Sequence, residues 1–289
     1  NFILPCGRFQ FYNKTNPKVE VLAVNKNENR LTGKKRKLEI PARAWLLLSF
    51  LSALGMWYIL SILPATSRSF PNVVVTLQQI PVMIGRGVLF SDIASSLISV
   101  SVGFALGFVI ALPVAILMAW YKPVRNIIEP WIQFIRNIPP LAYVPLIVIC
   151  AGVGRKPQII VITIATFLTM CITIYQGVIN IDETLIKAAR VLGASDRDIF
   201  IRVMAPASLP FILTAIRLGS SVALTTLIAA ESTGAMAGLG MRIRSLNNNF
   251  EAKPMLLYII IIGVIGISVD KLIKLMERKL TGWQEKREL

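Results

Sequence analysis

The residues of this 289-residue chain with the type and surroundings to do chemistry are few, and they lie inside or beside long apolar runs. Glu231 is read as ending the fifth span, in "TTLIAAEST". A carboxylate at the edge of hydrocarbon faces a cavity, pairs with a cation or anchors at the interface. Thr225 and Thr226, just before it, carry hydroxyls that either bond within their own helix or meet a solute. Arg136 and Asn137 precede the break in "IRNIPPLAYVP" and offer donors to an anion. The other reading of Arg136 is a side chain that snorkels to the headgroups. Pro139 and Pro140 lack N–H groups and disfavour helix in the residue before each, so the freed carbonyls need protein or a water-lined cavity. Arg136, Asn137, Pro139, Pro140, Thr225, Thr226 and Glu231 are therefore expected along a solute pathway.

Other chemistries are excluded. No histidine is present, which removes imidazole bases, proton shuttles and imidazole metal sites. Cys6, Cys150 and Cys171 have no metal-like spacing and read as inert packing residues. No G-x-x-x-x-G-K-[ST] occurs, so the chain has no cradle for ATP phosphates. The carboxylates near span ends are read as Glu129, Glu231 and Asp270, too few and too scattered for an intramembrane protease. The chain is expected to be no enzyme and to bind no metal or cofactor itself.

The elements that must position these residues are membrane spans. The chain is 55% hydrophobic and only 16% charged, against roughly 25% in soluble domains. A crossing helix needs about 20 apolar residues. Candidate spans cover about 44–63, 93–120 (closed by Pro123), 127–153 (broken by Pro139, Pro140 and Pro145), 158–179, 209–230 and 255–275. The fold class is thus an all-α integral membrane protein of about six spans, with both termini on one side.

The formal charge of +16 fits nucleic acid, anionic lipid or cytoplasmic loops, and the apolar runs favour the last. With the termini inside, the inner segments hold the "KKRK" of residues 34–37, Lys122, Arg125, Lys187 to Arg202, and Lys271 onward. Only Arg68, Arg86, Arg155, Lys156, Arg242, Arg244 and Lys253 fall outside. Residues 1–43 read as a basic cytoplasmic extension, 44–280 as the transmembrane domain and 281–289 as a cytoplasmic tail. The extension's aromatics do not interleave with its basic residues, so no nucleic-acid partner is expected.

Between the fourth and fifth spans, residues 182–206 are mostly polar. Leu185, Ala188, Ala189 and Leu192 share one helical face. Gly193 stands where a helix C-cap wants glycine, followed by Ala194. Ser195 with Asp198 resembles a capping box and restarts a second short helix bearing Ile199, Phe200, Val203 and Met204. Pro206 is expected to end it, and Pro210 to sit in the first turn of the next span. Two amphipathic helices bent at a glycine either lie on lipid or dock into another protein, and small Ala188 and Ala189 favour docking.

The stretch "KAARVLGASDRDIFIRVMAP" resembles the loop E-A-A, three residues, G, nine residues, I-x-L-P of binding-protein-dependent ABC importer permeases. Ala188, Ala189, Gly193 and Pro206 match at that spacing, while Lys187, Val203 and Ala205 replace Glu, Ile and Leu. The resemblance covers about residues 90–280. It implies the type I importer permease (MetI-like) fold in a bacterial inner membrane, with residues 182–206 as the coupling helix seated in a separate ATPase. Leu185, Ala188, Ala189, Leu192, Gly193, Ala194, Ile199, Val203 and Pro206 would form that joint.

The partners implied are two ATPase subunits holding ATP and Mg, a second permease copy as a homodimer, and an external substrate-binding protein. "IRNIPPLAYVPLIVICAGVG", "AAE" followed by "GLG", and "LTGWQEK" look like the nitrate/sulfonate/taurine/bicarbonate branch, which implies uptake of a small anion or zwitterion, taurine or an alkanesulfonate first. Nitrate, bicarbonate or a vitamin precursor are the alternatives, and an ion-coupled secondary transporter using Glu231 and Asp270 is the rival of another class. "GFALG" at residues 103–107 is a G-x-x-x-G that packs spans within one subunit or pairs two subunits, and "GLG" at 238–240 is a gate or a plain turn.

Overall fold

The computed structural model describes residues 42–280 apart from 65 and 68. The expectations for the basic extension (all but its last two residues), Cys6, Arg68, the 281–289 tail and nearly all of "LTGWQEK" lie outside the described residues. Every regular element among the described residues is helical: α1 (Ala42–Ile62), α2 (Val73–Leu77), α3 (Gln79–Gly85), α4 (Val88–Trp120), α5 (Lys122–Arg136), α6 (Pro140–Ala151), α7 (Arg155–Ile179), α8 (Glu183–Val191), the single turn α9 (Asp196–Asp198), a π-helix (Ile199–Met204), α10 (Ala205–Gly234), α11 (Leu239–Asn248) and α12 (Ala252–Leu280). Helices α1, α4, α7, α10 and α12 are long and apolar enough to cross a bilayer, and α5 with α6, bent by 100° at their break, pass the same test only as a pair, as a broken span or a re-entrant loop does.

By internal contacts the chain divides between residues 53 and 54. The described part of the first unit is the first half of α1, with Trp45, Leu46, Leu47 and Phe50 exposed. The second unit holds everything from Leu54 onward, and α7 runs through its centre with Val161, Ile162, Met170, Cys171, Ile172 and Ile174 buried. Its main cluster joins Met170, Cys171, Ile172 and Ile174 to Ala111, Ala115 and Met118 of α4, Ile132 of α5 and Ala215 of α10.

The small residues set this geometry. Along α4 the buried stripe runs Ser96, Ser99, Gly103, Gly107, Ala111 and Ala115, at spacings of three and four. A Cβ at Gly103 would lie 2.8 Å from Ile162, and one at Gly107 would overlap the Thr166 hydroxyl. "GFALG" therefore packs α4 against α7 within one subunit. Gly107→Val is expected to lower the melting temperature of the detergent-solubilised chain by roughly 4–10 °C. Gly85→Ala, whose methyl meets open space, should leave it unchanged. Cys171 is buried here, with its thiol 3.8 Å from the Met118 sulfur, but Cys150 is exposed and packs into no core.

The prolines correct three expectations. Pro139 is the N-cap of α6 and Pro140 its first residue, and the chain breaks there, but Pro145 sits inside α6 without ending it. It removes one hydrogen bond, to Leu141, from a helix otherwise intact. Nor does Pro206 end the second short helix: it lies in the first turn of α10, and Pro210 lies inside α10. The π-helix before it is the reason. The Ala205 N–H reaches back five residues to Phe200 O, and this wider turn eases the clash of the Pro206 ring with the preceding carbonyls. Phe200 meets Trp120 edge to face, with centroids 5.6 Å apart. An apolar cavity of about 240 Å³ adjoins the turn between Trp120, Phe200, Met204 and Ile212.

Candidate functional site

Three groups of residues carry the candidate function. The first is the loop 182–206. Asp182 caps α8, its carboxylate accepting from the Thr184 N–H at 2.8 Å, and the hydrogen bonds to Thr184 hold that carboxyl below the usual range. At the other end the Gly193 N–H donates to Arg190 O (3.0 Å) and the Ala194 N–H to Ala189 O (3.0 Å), with Gly193 at φ +79°. That is the paired closure of a Schellman cap. Asp198 N–H donates to Ser195 Oγ at 3.2 Å, and the Ser195 hydroxyl donates to the Asp198 carboxylate at 2.6 Å. Lys187 donates to Glu183 one turn earlier at 2.7 Å, an exposed pair of small energetic weight.

The tip of this loop is apolar and uncovered. Leu185 is 50% exposed, Leu192 86%, and Val191, which its face in the sequence did not single out, 87%. Ala188, Gly193 and Pro206 are exposed, and Ala189, Ala194 and Val203 are half-buried. Ile199 is only 2% exposed, because it turns into the chain's own interior as the root of the π-helix. It supports the loop from below and presents no contact surface.

The second group lines a cavity of about 250 Å³ at the bend between α5 and α6. Arg136, Pro140, Thr225 and Thr226 meet there, together with Tyr143 and Thr169, which the sequence analysis missed. Asn137 and Pro139 do not line it. Thr225 donates to Ser221 O and Val222 O, and Thr169 to Ala165 O, all within their own helices. Thr226 is buried, and its hydroxyl makes no hydrogen bond among the described residues. Tyr143 lies one turn beyond the prolines, and Thr169 sits on the α7 face opposite Thr225 and Thr226. The helical register beyond "PP" was the signal that could have found Tyr143.

Glu231 does not line that cavity. It is 1% exposed and part of a polar clasp on the "GLG" loop. The Ser96 hydroxyl donates to Glu231 Oε1 (2.7 Å), the Gly240 N–H donates to Oε2 (2.7 Å), and the Leu239 N–H donates to Ser96 Oγ (2.9 Å). Beside it, buried Asp92 accepts from the Gly238 N–H (3.1 Å), Arg242 Nε (2.8 Å) and the Tyr258 hydroxyl (3.0 Å). Three successive backbone N–H groups are thus held by side chains of α4 and α10. A Cβ at Gly238, whose φ is +139°, would overlap the Glu231 carboxylate, and one at Gly240 would lie 2.8 Å from Ile228 O. In this conformation "GLG" is a pinned turn.

Asp92 was absent from the carboxylates read near span ends. It stands one residue before the apolar window that begins at Ile93, yet within α4. A carboxylate opening an apolar helix was itself the signal. Asp270 is also engaged, 3.3 Å from Arg217 Nε and 2.6 Å from Lys274 Nζ. Among the described residues no three His, Cys, Asp or Glu side chains cluster as metal ligands would.

Residues 103–282 match the family described as binding-protein-dependent transport system inner membrane component. The chain is similar to a probable ABC transporter permease protein of Brucella abortus (strain 2308), 43% identical over 240 residues that cover 83% of this chain and 95% of the relative. It is also similar to the taurine transport system permease protein of Escherichia coli (strain K12), 34% identical over 195 residues, covering 68% of this chain and 71% of that one. Among solved structures, an inward-facing form of the MetNI methionine ABC transporter aligns with TM-score 0.60 and 20% identity, over 70% of this chain and 98% of that chain.

Proposed function

This chain belongs to the family of binding-protein-dependent transport system inner membrane components, and from that premise we propose that it moves a small anionic or zwitterionic solute inward by alternating access driven by a separate ATPase. The single observation that carries the coupling half of this reading is the glycine-closed loop whose apolar tip, Leu185, Val191 and Leu192, is exposed in a chain that has apolar cores to bury it in. An uncovered apolar tip on a capped rigid helix is what a groove in a partner takes up. ATP and Mg belong to that partner. Two permease copies and two ATPases form the assembly, an external binding protein delivers the solute, and both termini face the cytoplasm.

Taurine or another alkanesulfonate is the solute this reading favours, supported by the relative named for taurine transport and by Arg136 at the cavity. Nitrate, bicarbonate and vitamin precursors follow. The test is purification of the chain from its native membrane in mild detergent, identification of what co-purifies, and uptake of labelled taurine and nitrate by the reconstituted assembly. A co-purifying ATPase with uptake that requires ATP is the expected result. Uptake by the chain alone, driven by an ion gradient, would overturn the reading.

A further inference from the structure

The cavity at the bend between α5 and α6 has a one-sided chemistry. The lining residues with polar side chains are Arg136, Tyr143, Thr169, Thr225 and Thr226, and no Asp or Glu is among them. Thr169 and Thr225 spend their protons on carbonyls of their own helices, whereas the buried Thr226 hydroxyl is left unbonded among the described residues. A lone cation entering this space meets the positive charge of Arg136, an exposed residue, and no counter-charge. A dianion meets one guanidinium where it needs two. A monoanion with two or three equivalent oxygens matches the guanidinium fork and leaves an oxygen for a hydroxyl donor. At about 30 Å³ per water, the 250 Å³ space holds roughly eight waters, room for a compact solute and little more.

We propose that this cavity is a binding station for the singly charged oxyanion head of a small solute, nitrate itself or the sulfonate group of taurine, in which Arg136 holds that head while Tyr143 and Thr226 determine specificity through donated hydrogen bonds. The proposal rests on the reading of the chain as an anion importer and adds that selectivity is exercised within the membrane, after the external binding protein has released its load.

The test uses the complete permease–ATPase complex in nanodiscs without the binding protein, with equilibrium binding of labelled taurine and labelled nitrate as probes. Uptake of the same two probes is measured with the binding protein added. At least one probe should bind saturably and be displaced by ethanesulfonate but not by choline. Arg136→Gln should weaken binding about tenfold or more, with partial recovery in Arg136→Lys, because a charged hydrogen bond is lost and then part restored. Tyr143→Phe should weaken it several-fold and change the order in which anions compete, which a merely structural role would not do. A probe that is taken up by the wild-type complex yet never binds saturably, or binds equally well to Arg136→Gln, overturns the station. If neither probe is taken up under ATP, the importer reading itself fails for these anions, and the station falls with it.

Discussion

Replacing Gly193 with proline is expected to reduce ATP-driven uptake to the background of cells lacking the chain, while the chain still inserts at its normal level. Gly193 holds φ at +79°, and a proline ring fixes φ near −65°, so the Schellman closure cannot form. Without that closure α8 loses its terminus and the tip of Leu185, Val191 and Leu192 loses its fixed direction. No atom lies within 4 Å of a Cβ built on Gly193, so the effect is one of backbone geometry, not of crowding. Gly193→Ala should therefore be milder. It costs about 1–2 kcal/mol in the left-handed region, a factor of about 5–30 in the ordered loop. A bulky replacement of Ala189 should also stop uptake, by blocking the partner and not by unwinding the helix. Normal uptake in both Gly193→Pro and Ala189→Trp would remove the docking assignment.

Asp92→Ala is expected to give the largest loss of stability of any single substitution outside the apolar core. It strips three donors of their acceptor at once: Arg242, the Tyr258 hydroxyl and the Gly238 N–H. Arg242 is 25% exposed, so water recovers part of its charge, and the cost of about 2–4 kcal/mol comes mainly from the Tyr258 hydroxyl and the Gly238 N–H left without an acceptor. The check is thermal unfolding of the detergent-solubilised chain followed by size-exclusion fluorescence. Asp92→Asn should fall between wild type and Asp92→Ala, since it keeps an acceptor oxygen and loses the charge. An unchanged melting curve for Asp92→Ala would mean that the clasp contributes nothing to the folded state.

Local signals in the sequence were legible, and distant ones were not. The glycine closure and the Ser195 restart each depend on residues within about five positions of one another, and each stands where its spacing indicated. The six apolar stretches were equally readable, because bilayer thickness fixes their length. The clasp joins Asp92 to residues 146, 150 and 166 positions away, a pairing that no periodicity encodes. Asp92 was overlooked because the apolar window opened one residue after it. Ile199 shares its helical face with Val203, but the π-helix changes the angular step between residues and turns Ile199 inward. Pro206 misled for the same reason: proline predicts a stop only where the preceding turn is α-helical.

That π-helix has one more consequence, a matter of phase. An α-helix advances about 100° per residue, so one residue more or fewer between two elements rotates one against the other by that angle. The wide turn at Ile199–Met204 absorbs a residue that an α-helix would have spent on rotation. The azimuth of Leu192 about the axis of α10 is thus fixed by how many residues the turn contains, largely independent of which residues they are. A chain one residue shorter here would keep every side chain of the tip and aim it at a different wall.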